Sequence, residues 1–202
     1  MPRTRSALLL LAALAFSAAA GPSQPDSARG AGAARYVVAE ESRFWIDGTS
    51  TVDDFTCEAT AVAGYAEVRQ AGTGHAVRAE VVVPTRDFDC GRSAMNRDFY
   101  DALRADHHPT IRFQLDRAEV VGEAAGAVRD HAAGTLTLAG ATRPVTLDAE
   151  GERLADGRVR VRGRHPFAMT AFGVEPPTAL LGLVRAHDRV VVRFDLVATE
   201  VQ

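Results

Sequence analysis

CGRSAMNRDFYDALRADHHPTIRF, residues 90–113, is the stretch on which the fold of this 202-residue chain turns. Met95, Phe99 and Leu103 recur at i, i+4 and i+8, so they share one stripe of a short helix, with Tyr100 beside them. Arg97, Asp98, Asp101 and Arg104 point elsewhere. Ser93 reads as the helix N-cap, its hydroxyl accepting from an otherwise unpaired amide. His108 precedes a proline and is pushed out of the helical region, so Pro109 is expected to end the helix and Thr110 to begin an extended segment. The flanking segments read as strands. A lone amphipathic helix among strands has to lay its apolar stripe on a sheet or across the mouth of a barrel, and it is expected to form a lid.

Outward from this stretch, nearly everything after Arg35 has period two or is a short β-rich run. YVVA (36–39) and SRFWID (42–47) are expected to pair with each other, followed by strands in 50–69 and 75–88, with Gly64, Gly72 and Gly74 as punctuation. After the helix come runs at 110–121, 131–140, 143–154, 157–169 and 187–200. The clearest alternation sets Arg158, Arg160, Arg162 and Arg164 against Val159, Val161 and Gly163, arginines to water and valines inward. Ala139-Gly140-Ala141-Thr142 and Ala155-Asp156-Gly157 supply hairpin turns. A meander of at least eight antiparallel strands has to close or be covered to remove its edges. No strand-helix-strand alternation or G-x-G-x-x-G is present, which excludes a doubly wound nucleotide-binding sheet.

At the N-terminus, Arg3 and Arg5 precede an apolar run over 7–16 and the small residues Ala18-Ala19-Ala20, the pattern of a cleaved secretory signal. The run is too short for a membrane anchor, which needs about 20 residues. The expected organisation is a signal peptide at 1–20, a flexible Pro/Ser/Gly/Ala leader at 21–34 and one β-barrel domain at 35–202, periplasmic or secreted, with no stable membrane insertion. Removing Arg3 and Arg5 takes the formal charge from −3 to −5, and no basic cluster argues for nucleic acid. All 23 basic residues are arginine, which excludes Schiff-base chemistry, a P-loop lysine and a Ser–Lys dyad. The two cysteines, Cys57 and Cys90, are an even count in an oxidising compartment and are expected to form a structural disulfide. The alternative, a redox couple or metal pair, has no CxxC and no clustered His to support it.

Catalytic patterns are missing as well. His107-His108 are adjacent rather than at i, i+4, His75, His131, His165 and His187 are scattered, and there is no G-x-S-x-G. Asp53-Asp54 and Asp87/Asp89 read as solvated carboxylates, too few in oxygen ligands for a cation cage. The expectation is no enzyme, no metal and no cofactor.

Four segments taken together resemble the YceI-like family of bacterial envelope proteins. They are GTSTVDDFTCEA (48–59), NRDFYDALRADHHPTIRF (96–113), GTLTLAGATRPVTLDAEG (134–151) and MTAFGVEPPTALLGLVRAHDRVVVRFDL (169–196). The similarity runs from about Tyr36 to the C-terminus. It implies an extended, eight-stranded, lipocalin-like antiparallel barrel with a helical lid and a long apolar interior, and binding of polyisoprenoid chains or related amphiphiles. The Cys57/Cys90 pair and the long leader mark one branch of that family.

A dry tunnel for such a chain needs large apolar side chains and a few polar groups at its mouth. Phe44, Trp45, Phe55, Phe113 and Leu115 are candidates for the wall, as are Leu136, Leu138, Phe167 and Phe194, with Met95, Phe99 and Leu103 under the lid. The segment 167–184, broken by Gly173, Pro176, Pro177 and Gly182 yet rich in Met169, Phe172, Leu180 and Leu181, reads as a flap over the opening beside the helix. Arg97, Arg104 and Arg143 are candidates to grip a pyrophosphate or carboxylate head. The expected function is carrying or sequestering an isoprenoid or other lipid-like molecule. The competing class is a structural or stress-linked envelope protein whose barrel is packed solid. A homodimer is compatible with either.

Overall fold

The computed structural model of the chain describes residues 33–71, 74–124 and 127–201. The signal peptide and nearly all of the leader expected from the sequence lie outside them. The strands are β1 (Ala34–Val38), β2 (Arg43–Ser50), β3 (Asp54–Ala59), β4 (Ala63–Ala71), β5 (Gly74–Pro84) and β6 (Phe88–Asp89), followed by helix α1 (Ser93–Ala102). After the helix come β7 (Thr110–Ala124), β8 (Ala127–Leu138), β9 (Ala141–Arg153), β10 (Val159–Ala168), β11 (Thr178–Ala179) and β12 (Val184–Val201).

Hydrogen-bonded neighbours run β1-β4-β5-β7-β8-β9-β10-β12, and β12 pairs back onto β1, so eight antiparallel strands form a closed barrel. Closure leaves no free edge in that ring. β1 and β2 do not pair with each other, contrary to the sequence expectation. Both run antiparallel to β12, with Val38 opposite Ala198 and Arg43 opposite Asp195, as two halves of one bent strand. The bend at 39–42 is stitched to β12 through Val197: its carbonyl accepts from the Ala39 amide at 2.7 Å and the Ser42 hydroxyl at 3.2 Å, and its amide donates to Ser42 Oγ at 2.9 Å. Past the bend, β2 carries β3 and β6 as an extension of the wall.

The antiparallel order brings α1, the β2–β3 turn, the β8–β9 turn and the segment between β10 and β12 to one end of the barrel, here called the lid end. Ala139 and Gly140, with φ of 49° and 84°, make a two-residue hairpin turn of the primed kind. Gly157 takes φ 89° in the β9–β10 hairpin, where Asp156 Oδ1 accepts from the Arg158 amide at 3.1 Å. Gly64 lies inside β4 rather than ending a strand: a Cβ there would come within 2.5 Å of the Glu80 carbonyl oxygen on β5. On the outer face, arginines pair with carboxylates across strands, as Arg160 does with both oxygens of Asp195 at 2.7 and 3.0 Å and Arg193 with Asp47 at 2.6 Å.

The helix begins and ends by devices the sequence did not suggest. Arg92, in extended conformation, is the N-cap, and Ser93 is the first helical residue with no capping bond. Asn96 reaches back instead, its Oδ1 accepting from the Cys90 amide at 2.7 Å and its Nδ2 donating to Asp89 Oδ1 at 3.1 Å. At the other end Arg104 takes φ 50°, the Ala105 amide donates to the Tyr100 carbonyl and the Arg104 amide to the Asp101 carbonyl. This is a Schellman motif, so the helix stops at Ala102, well before Pro109.

Candidate functional site

The period-two faces of the barrel enclose a cavity of about 850 Å³. Val77, Ala79, Val81 and Val83 come from β5, Ile111, Phe113 and Leu115 from β7, and Val145, Leu147 and Ala149 from β9. Each set alternates by two, the geometry of inward positions on a strand. The volume lies in the upper part of the range for small-molecule sites, about 300–1,000 Å³.

Several phenylalanines line this space without filling it, because they lie over glycines. A Cβ added to Gly48 would strike the Phe55 ring, one on Gly134 the Phe113 ring, and one on Gly163 the Phe194 ring. In the first and last pairs the glycine and the phenylalanine are direct cross-strand partners, Gly48 with Phe55 and Gly163 with Phe194. The ring takes the room a side chain would have occupied and stays flat against the wall.

At the lid end α1 turns Met95, Phe99, Ala102 and Leu103 into the cavity. Phe88 anchors it: 1% exposed, its ring centroid lies 5.0 Å from that of Phe99 and 6.0 Å from that of Phe44. Tyr100 donates to the carbonyls of Phe88 at 2.6 Å and Arg86 at 3.0 Å, the Cys57–Cys90 disulfide ties β3 to the loop entering the helix, and Arg104 donates to the Ala139 carbonyl. The flap segment meets the same end. Met169, Val174, Pro177, Thr178 and Ala179 line the cavity, and the base of the segment is held where the Thr170 amide and hydroxyl donate to Asp188 at 2.9 and 2.7 Å. The wall residues that are exposed, Val52, Arg92, Ala94 and Thr178, mark the mouth between the start of α1, the β2–β3 turn and β11.

Polar side chains on the wall are few. Ser50, Arg92, Asp98 and Thr178 belong to the mouth region, while His165 on β10 faces the interior. Burial pushes the His165 pKa down, opposed by a backbone hydrogen bond at Thr146 and the charge of Asp148, so the ring is neutral at pH 7. Its plane stacks near Phe167, with centroids 6.2 Å apart. Among the described residues no group of three or more His, Cys, Asp and Glu could hold a metal ion, and no helix is long and apolar enough to cross a membrane.

The YceI-like domain matches residues 37–198. The chain belongs to the YceI-like family. Solved structures of similar fold include BcnA of Burkholderia cenocepacia, at 21% identity and TM-score 0.64, covering 78% of this chain and 96% of that one. A polyisoprenoid binding domain from Saccharophagus degradans, implicated in plant cell wall breakdown, is 17% identical with TM-score 0.65, covering 82% and 98%. The Campylobacter jejuni YCEI protein is 15% identical with TM-score 0.55, covering 72% and 84%. At these identities the likeness is one of fold. No curated protein matches the chain.

Within this YceI-like barrel, Phe44, Phe55, Phe113, Leu115, Leu136 and Leu138 border the cavity, as do Phe167, Met169, Phe194, Met95, Phe99 and Leu103. Phe172 does not. It is 3% exposed and packs edge-on against Phe167 at 5.2 Å, part of the seal around the cavity. Leu181 is fully exposed, and the Leu180 side chain lies outside the described ones. Trp45 stands on the outer face under Arg43, since its neighbours Phe44 and Ile46 take the inward positions. The three head-group arginines are exposed and off the wall: Arg104 is bonded to Ala139, Arg143 to the carbonyls of Thr142 and Ala171, and Arg97 points to solvent. Arg92 and His165 occupy the cavity in their place. Parity gives the signal for His165, two residues from Phe167 and four from Val161 on the same strand face.

Proposed function

We propose that this YceI-like barrel is a non-enzymatic carrier or sequestering protein that holds a hydrophobic chain, such as a polyisoprenoid, and acts in the periplasm or after secretion. The observation that carries this is the apolar cavity of about 850 Å³ with its mouth at the lid end. The fold neighbour from Saccharophagus degradans is described as a polyisoprenoid binding domain, which supports the same ligand class. The signal pattern over 1–20 and the Cys57–Cys90 disulfide support an oxidising compartment. A neutral His165 inside an apolar wall suits a ligand with an uncharged polar group, a hydroxyl or carbonyl, better than a pyrophosphate. The competing class, a structural envelope protein with a packed interior, has the cavity against it.

Native mass spectrometry of protein prepared from its own envelope tests the proposal. A co-purifying lipid is expected, and Ala132→Phe, which drives a ring into the cavity from β8, is expected to lose it while keeping the native far-UV spectrum. A wild-type protein that carries nothing and takes up no polyprenol from cyclodextrin overturns it.

A further inference from the structure

Five large apolar side chains are substantially exposed among the described residues, and the three most exposed, Leu181 at 107%, Leu183 at 79% and Val52 at 69%, meet in two neighbouring loops. The β2–β3 turn and the tip of the β11–β12 hairpin are tied together. The Thr51 amide donates to the Arg185 carbonyl at 3.0 Å, the Arg185 amide donates to Thr51 Oγ1 at 3.2 Å, and that hydroxyl donates to the Leu183 carbonyl at 3.4 Å. The result is one lip rather than two loose ends. Leu181 sits on it with φ 57°, a left-handed conformation that sterics disfavour for any residue with a side chain, and with no packing contact to compensate.

The lip is continuous with the cavity. Val52 belongs to both, and Ala179 and Val184, on either side of the tip, are wall residues. Resting on the cavity reading above, we propose that Val52, Leu181 and Leu183 form a docking surface for a lipid bilayer, through which the barrel exchanges its hydrophobic ligand with a membrane. A hydrophobic chain is stored in bilayers rather than in water, so a carrier needs its mouth at the bilayer surface. A narrow tip of three side chains inserts among acyl chains without shape complementarity, whereas a protein partner requires a patch of about 800 Å² on each side. Arg92 and Arg185 are exposed near the lip, but so are Asp53, Asp54 and Glu175. With the charges offset, docking is driven by apolar contact and needs no anionic lipid.

The test uses the exported full chain, phosphatidylcholine vesicles and the double variant Leu181→Ser/Leu183→Ser. Both side chains are exposed, so the variant is expected to melt with the wild type; Val52→Ser provides an independent lesion in the other loop. The wild type is expected to float with vesicles, and the bound fraction to fall at least tenfold in the double variant. Transfer of a fluorescent polyprenol from vesicles is expected to slow to the same degree, while its uptake from cyclodextrin stays within twofold. Equal flotation of the two proteins overturns the proposal, as does a wild-type dimer that the substitutions dissociate, which would make the lip a self-association surface. If the wild type takes up no polyprenol from cyclodextrin the cavity reading fails, and vesicle flotation alone then decides the lip.

Discussion

Helix α1 and the β11–β12 tip border the same mouth and are held in opposite ways. Around α1, Phe88 is buried between Phe44 and Phe99, Tyr100 bonds two backbone carbonyls, a disulfide fixes the entering loop, and Arg104 closes the exit onto the β8–β9 turn. At the tip, Leu181 and Leu183 touch solvent, and the backbone is tied mainly to Thr51. Local stability follows buried apolar contact and protected hydrogen bonds, so the helix behaves as a fixed stopper and the tip as the side that opens first.

The largest expected effect comes from removing the stopper's anchor. Phe88→Ala is expected to cost about 3–5 kcal/mol in equilibrium urea unfolding, as for other buried aromatic truncations. Replacing both cysteines by serine is expected to cost about 3–4 kcal/mol on the chain-entropy account. The loss should appear in hydrogen exchange as faster opening of α1 with little change at the tip; equal acceleration of both would break the contrast. Tyr100→Phe removes one hydroxyl from two carbonyls and is expected to cost about 1 kcal/mol by thermal melting. Leu181→Ser is expected to change stability by less than about 0.5 kcal/mol, since nothing packs on it.

Acid is expected to act on both sides of the mouth. The Gly91 amide, then the Asn96 side chain, hold the Asp89 carboxyl below its ordinary pKa, and the Thr170 amide and hydroxyl do the same for Asp188. A lowered carboxyl stabilises the fold above its unfolded pKa, and that stability disappears as pH falls through the folded value. Opening of both the helix entrance and the flap base is therefore expected below about pH 4. Asp89→Asn should remove the pH dependence at the helix alone, read by hydrogen exchange between pH 3 and 6. His165 acts in a higher window. Its lowered pKa lets the unfolded chain bind the proton first, so stability declines as pH drops below about 6.5 and levels off at the folded value. In His165→Phe that decline should vanish.

Features with a local period were legible in the sequence. The Met95–Phe99–Leu103 stripe, the Arg/Val alternation through β10 and the two hairpin turns each depend on residues a few positions apart. What was hidden depends on partners far along the chain. The bend at 39–42 reads as a hairpin because only Val197 reveals that both halves lie on β12. The helix exit hides for a different reason: a left-handed Arg104 carries no glycine to announce it, so Pro109 attracts the prediction. The wall was found where large residues share a parity, and its valines, isoleucines and His165 were passed over for their size or polarity. Arginines near the helix suggested an anion grip, whereas the fold commits Arg104 and Arg143 to backbone carbonyls.

The pairing of Gly48, Gly134 and Gly163 with Phe55, Phe113 and Phe194 makes the bore adjustable. One carbon added at Gly48 meets only the Phe55 ring and forces it off the wall, narrowing the tube while strand number and order stay as they are. A barrel built this way can be re-gauged for a thinner or thicker guest by exchanging single glycines, with no need to redesign the staves.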